Sequence, residues 1–173
     1  MNLFPDLEAS LTRLAEAVGG ETSEPWWIIG SAAVALHGAA VTDIRDIDLM
    51  MGLADAQRLL ARLGLQPEPD SHHPQFRSEL FAVWREPPLP VEIFAGFRLA
   101  DSTGWRPVVF QTRQAVRVAG WTLYVPSVDE LHDLLLTFGR PKDLERARLL
   151  HSISGRAPLF APTPPPDPHR SSS

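Results

Sequence analysis

"GSAAVALHGAAVTDIRDIDLMMG", residues 30–52, decides how this chain is read. A Gly-Ser pair opens the stretch, a run of small residues follows, and Asp46-Ile47-Asp48 then stands among apolar side chains. Residues two apart on a strand point to the same face. Two carboxylates that close repel, and burying them unpaired is costly. A structural role is hard to supply for such a pair, whereas a cation between them makes sense of it.

Outward from this stretch, "WWIIG" at residues 26–30 is a short apolar run ending in glycine and reads as a buried strand. "SAAVALHG" predicts a short helix with Ser31 near its start and Gly38 at its end. "DIDLMM" is a second strand. Residues 53–64 carry apolar positions at 53, 56, 59, 60 and 63, the spacing of an amphipathic helix. Leu3, Leu7, Leu11, Leu14 and Val18 predict a helix before it, ended by Gly19-Gly20. Residues 67–74 form a polar connection, "FRSELFAVW" is mostly strand, "EPPLP" is a turn and "VEIFAGF" is a further strand. Residues 98–107 read as loop, and residues 108–126 as one or two short strands around Ala119-Gly120. Ser127 with Glu130 fits a capping box, Gly139 closes that helix, and Pro141 can begin another. The expected organisation is one domain over residues 1–156, with C-terminal helices at about 127–153. Residues 157–173, rich in proline and ending in serine, are expected to be a disordered tail.

Composition bounds the function. The chain has 173 residues, 44% hydrophobic and 21% charged, which fits a globular domain. No cysteine is present, so disulfides and thiolate metal sites are excluded. No apolar run approaches the roughly 18 residues of a membrane span, and the N-terminus lacks the pattern of a signal peptide. A cytoplasmic protein with no membrane partner is expected. The net charge of -5 divides unevenly, -8 over residues 1–97 and +3 over residues 98–173. An acidic half facing a more basic one suits a phosphate-bearing ligand, although surface charge also varies without function.

The chemistry follows from the order of the elements. A strand, a Gly-Ser turn with a small helix, and a strand carrying Asp-x-Asp could hold a phosphate at the helix start and one or two Mg²⁺ ions on Asp46 and Asp48. Glu92 stands between Val91 and Ile93 in an apolar strand; it faces either solvent or the site. His37 is expected to pack or cap its helix, His72-His73 to be solvated, and Trp26 and Trp27 to be core, one of them able to line a nucleotide pocket. Lys142 and Asp143 either serve the site or decorate a helix start. No Gly-x-Ser-x-Gly or Walker-type loop is present, so serine-hydrolase and P-loop chemistry are excluded.

Gly30-Ser31, a spacer, and then Asp46-Ile47-Asp48 resembles the core motif of the polymerase-beta-like nucleotidyltransferase superfamily. Leu36-His37-Gly38 and "GRPKD" at residues 139–143, after a helix opened by "PSVDEL", look like its small bacterial branch, which includes AbiEii-type toxins of toxin–antitoxin systems. The resemblance covers about residues 25–152. It implies an α/β (α+β) nucleotidyltransferase fold, a mixed β-sheet with helices packed on it and a short C-terminal helical segment. It also implies a nucleoside triphosphate donor, Mg²⁺ (or Mn²⁺), and transfer of a nucleoside monophosphate to a hydroxyl of a small molecule, tRNA or protein acceptor. By motif match, Asp46 and Asp48 would be catalytic metal ligands, Gly30 and Ser31 would hold phosphates, and Glu92 would be the third carboxylate and base. Lys142 would approach the triphosphate or the acceptor. Arg45 would point away, and Asp43 and Glu79 stand next after Glu92 for the third acid. An antitoxin or a partner subunit that completes the acceptor pocket is a further implied partner. The competing expectation is a catalytically inactive module of the same fold that binds nucleotide or a protein.

Overall fold

The computed structural model describes residues 4–20 and 22–153. The tail expected at residues 157–173 lies outside them. The element order is α1 (Pro5–Val18), β1 (Trp27–Ile29), α2 (Gly30–Leu36), β2 (Ile47–Met50), α3 (Leu53–Leu63), β3 (Phe76–Arg77), β4 (Leu80–Trp84) and β5 (Val91–Ala95). The chain continues through β6 (Arg98–Asp101), β7 (Gly104–Pro107), β8 (Gln114–Val118), β9 (Trp121–Val125), α4 (Val128–Phe138) and α5 (Pro141–Ile153).

The central sheet has the order β1-β2-β5-β4. Its β2–β5 pair is parallel, and the β1–β2 and β4–β5 pairs are antiparallel, so the sheet is mixed. Ile47, Leu49, Val91 and Ile93 are fully buried on these inner strands. Helix α1 turns Leu7, Leu11, Leu14 and Val18 into the core at i, i+4 and i+3 spacing. Helix α2 packs on β1, β2 and α5. Its run of alanines fits this crowded position, because Ala32, Ala33 and Ala35 have almost no exposed surface.

Two expectations change in detail. Residues 98–107, read as loop, form the β6–β7 hairpin, which joins β3 in a separate three-stranded sheet. Asp101 terminates β6 and accepts from the Thr103 N–H (2.7 Å) and hydroxyl (2.6 Å), a side-chain turn that tightens the two-residue link. The capping box before α4 is half realised. Ser127 Oγ accepts from the Glu130 N–H at 3.2 Å, but the Glu130 carboxylate turns instead to the Gln111 N–H (2.7 Å) and the Thr112 N–H (3.1 Å). The cap glutamate therefore fixes the strand β8 approach, while Gly139, at φ 68°, ends the helix as expected. Among the described residues no helix is long and apolar enough to cross a membrane.

Candidate active site

A cleft of about 1010 Å³ contains each residue singled out for chemistry: Gly30, Ser31, Asp46, Asp48, Glu92 and Lys142. The sheet register assembles them. Ile29, next to Gly30, pairs with Asp48, and Asp48 pairs across the parallel ladder with Glu92. Three neighbouring strands thus deliver the turn glycine, the second aspartate and the glutamate side by side. Glu92 faces the site, not bulk solvent. Asp46 ends the loop just before β2 instead of lying within the strand, yet its charge still acts on both Asp48 and Glu92.

Gly30 sits at φ 66°, in the left-handed region that favours glycine. A β-carbon there would overlap Asp48 Oδ2 and come within 3.2 Å of Asp48 Cγ. The glycine is therefore required both by the turn and by the close approach of the carboxylate. Ser31 is buried, and among the described residues its hydroxyl has no hydrogen-bond partner although it lines the cleft. Helix α2 is only seven residues long, so its dipole adds little. A phosphate here would rest on the Ser31 hydroxyl and on Lys142.

Electrostatics mark the acids as a unit. Asp48 retains some exposed surface, but its carboxyl is densely enclosed. That desolvation, followed by the charges of Asp46 and Glu92, pushes it well above the usual carboxylate range. Burial and the Asp46 charge also raise Glu92, against the pull of the Asp48 hydrogen bond, Lys142 and Arg140. A side-chain hydrogen bond joins the Asp48 and Glu92 carboxyl groups. Lys142 makes no hydrogen bond or ion pair among the described residues, and its charge is felt by both Asp48 and Glu92.

Three converging carboxylates are a hard-oxygen donor set that fits Mg²⁺ or Mn²⁺ in kind. Among the described residues no three acidic, histidine or cysteine side chains are already spread as a metal shell. Asp48 and Glu92 would have to exchange their mutual hydrogen bond for the cation.

The other residues divide plainly. Arg45 lies at the cleft edge, exposed, and pairs with Asp43 at 3.1 Å. Glu79 pairs with Arg98 at 3.4 Å. Asp43 and Glu79 both line the cleft, but it is Glu92 that bonds to Asp48. Asp143 is buried and held by Arg140 at 2.6 and 3.1 Å, an ion pair that fixes the start of α5 beside the site. His37 is buried, and its Nε2 stands 2.8 Å from the Pro126 carbonyl. Desolvation lowers its pKa, so the neutral ring donates there and packs, as expected. Trp26 is core, and neither Trp26 nor Trp27 lines the main cleft. His73 is exposed in its loop, as expected, and it is also held in place. Its Nδ1 accepts from the Gln75 and Phe76 N–H groups at 3.1 and 3.2 Å, and it lines the cleft.

Sequence reasoning missed Arg140 and a wall of aromatic rings. Phe94 contacts Phe97 at 5.0 Å between ring centroids, Phe97 contacts Phe76 at 5.9 Å, and His73 stacks on Phe76 at 4.7 Å. Arg140, inside the quoted "GRPKD", lies 4.8 Å over Phe76 and 5.7 Å over Phe138. The only available signal was that Phe94 shares a strand face with Glu92.

No protein-family model and no curated protein sequence matches the chain. Solved structures do match its fold. A Thermotoga maritima protein described as a nucleotidyltransferase, TM1012, superposes with a TM-score of 0.63 at 22% identity, over 84% of this chain and 90% of that one. The antibiotic-resistance factor ANT(2'')-Ia, in complex with adenylyl-2''-tobramycin, gives 0.55 at 15% identity over 86% and 90%. The lincosamide antibiotic adenylyltransferase LnuA, lincomycin-bound, gives 0.55 at 15% identity over 88% and 99%. At these identities the likeness shows the fold: the chain has the nucleotidyltransferase fold, as its sequence predicts.

Proposed function

We propose that the chain is a nucleotidyltransferase that moves a nucleoside monophosphate from a nucleoside triphosphate to a hydroxyl of an acceptor, with Mg²⁺ or Mn²⁺ as cofactor. One observation carries this: Asp46, Asp48 and Glu92 converge beside Gly30, Ser31 and Lys142 in one cleft. The fold likeness to antibiotic adenylyltransferases supports the same reaction class.

The cation, held by Asp46 and Asp48 with Glu92, would neutralise charge that develops on the phosphates. The chain supplies the rest. Lys142 and the unpartnered Ser31 hydroxyl bind phosphate oxygens. The missing side chain at Gly30 leaves room for Asp48 to face them. Glu92 orients the acceptor hydroxyl and accepts its proton. The acceptor oxygen forms the new bond to the α-phosphorus as the bond to the bridging oxygen breaks, and pyrophosphate leaves with the electron pair.

The test is Glu92→Gln. Mg-nucleotide binding should stay within about tenfold, while transfer falls by roughly a hundredfold or more. Unchanged transfer would remove Glu92 from the chemistry. A second, inactive-module reading is favoured by the Asp48–Glu92 hydrogen bond and the absence of a ready metal shell among the described residues. It expects nucleotide binding with no labelling of any acceptor. A toxin role with a paired antitoxin rests on the short matches at residues 36–38 and 139–143. Growth arrest on expression, relieved by the product of the adjacent gene, is its test.

A further inference from the structure

The acceptor side of the cleft has a composition of its own. An in-line displacement places the attacking oxygen and the leaving pyrophosphate on opposite sides of phosphorus. Along the sheet, Gly30 and Ser31 follow β1, Asp48 is next on β2, and Glu92 lies beyond it on β5. An acceptor hydroxyl at Glu92 therefore has its body on the far side from Gly30. That side is aromatic. Phe94 lies two residues along the same strand face, about 7 Å from Glu92. Phe97, Phe76 and the His73 ring continue from it, each in contact with the next.

His73 completes this wall as a platform. Its ring stacks on Phe76 with an interplanar angle of 19°, while the residue stays exposed in the cleft. The two N–H groups that donate to Nδ1 fix the ring in place. Arg140 adds a cation against Phe76 and Phe138.

Resting on the transfer reading above, we infer that the acceptor is a flat, hydroxyl-bearing heteroaromatic compound stacked on His73, of which a nucleoside is the simplest biological example, and not a compound without an aromatic face. Aromatic platforms bind such rings by their faces, tolerant of ring identity.

The experiment loads the protein with Mg²⁺ and a non-hydrolysable nucleoside triphosphate, then titrates it calorimetrically with adenosine and, separately, with tobramycin. Adenosine should bind and tobramycin should not. His73→Ala, which alters an exposed side chain and should melt like the parent, should weaken adenosine binding by roughly 5- to 150-fold. Donor affinity should be unchanged in that variant. Tobramycin binding without adenosine binding, or equal adenosine affinity in His73→Ala, would overturn the inference. If the triphosphate does not bind the parent, it is the transfer reading that fails. The adenosine titration of parent and His73→Ala without donor then still decides whether the platform holds a flat ring.

Discussion

Replacing Gly30 with alanine probes the geometry of the site directly. Two costs add. Holding an L-residue in the left-handed region at φ 66° costs about 1–2 kcal/mol. The new β-carbon also overlaps Asp48 Oδ2. That atom is the end of a side chain, so Asp48 can swing aside, at roughly 0.5–1.5 kcal/mol for leaving its rotamer. The total of about 1.5–3.5 kcal/mol corresponds to a melting temperature lower by roughly 3–14 °C in a chain of this size. The swing moves the carboxylate off the cleft, so Mg²⁺ with nucleotide should lose most of its stabilising effect on the variant. Thermal melts with and without Mg-nucleotide measure both. A double-mutant cycle separates the terms: in an Asp48→Ala background only the φ cost survives, and the coupling should be about 0.5–1.5 kcal/mol. Zero coupling, or a Gly30→Ala protein that Mg-nucleotide stabilises like the parent, would refute the claim that Gly30 exists to admit Asp48.

Asp48→Asn should change how stability depends on pH. The raised pKa means that the folded chain keeps a proton the unfolded chain has released. Parent stability therefore falls as pH rises from the usual carboxylate range through the folded pKa of Asp48. The asparagine variant should flatten that slope in urea melts at a series of pH values, and should gain nothing from Mg-nucleotide. Asp55→Ala tests an acid of the opposite kind. Burial pushes the Asp55 carboxyl up, but the Ser23 and Glu24 N–H groups and Arg58 outweigh it and leave it low. Its contribution is present above the ordinary carboxylate pKa and lost as pH falls through the lower folded one. The variant should lose about 2–4 kcal/mol at neutral pH in denaturant melts, with a smaller deficit in acid and no loss of site residues.

What the sequence exposed was whatever chemistry is written locally. Asp46 and Asp48 stood out because two like charges on one apolar segment have few bland explanations. Glu92 did not, since alternation fits either strand face; only the parallel register of β5 against β2 decides it. The β6–β7 hairpin escaped because Arg98, Asp101 and Arg106 make its strands polar, and an exposed two-residue turn leaves little apolar periodicity to see. The aromatic wall was invisible for a different reason. His73, Phe76, Phe94, Phe97 and Phe138 come from a loop, two separate sheets and a helix end, and no spacing rule joins them. Arg140 sat inside a quoted motif, yet its neighbour Lys142 drew the attention that a lone lysine among 16 basic residues attracts.

The acids and the aromatics rest on unequal foundations. Asp48 and Glu92 lie on β2 and β5, the two inner strands of the four-stranded sheet, each flanked on both sides. His73 and Phe76 belong to a connection and a strand of two residues, tied to the end of α4 by the Gln75 side-chain bond to the Phe138 carbonyl at 2.6 Å. Amide hydrogens around Asp48 and Glu92 should exchange only when the whole sheet opens, and those near residues 73–77 through small local openings. Substitutions in that outer segment can therefore accumulate without disturbing the carboxylates.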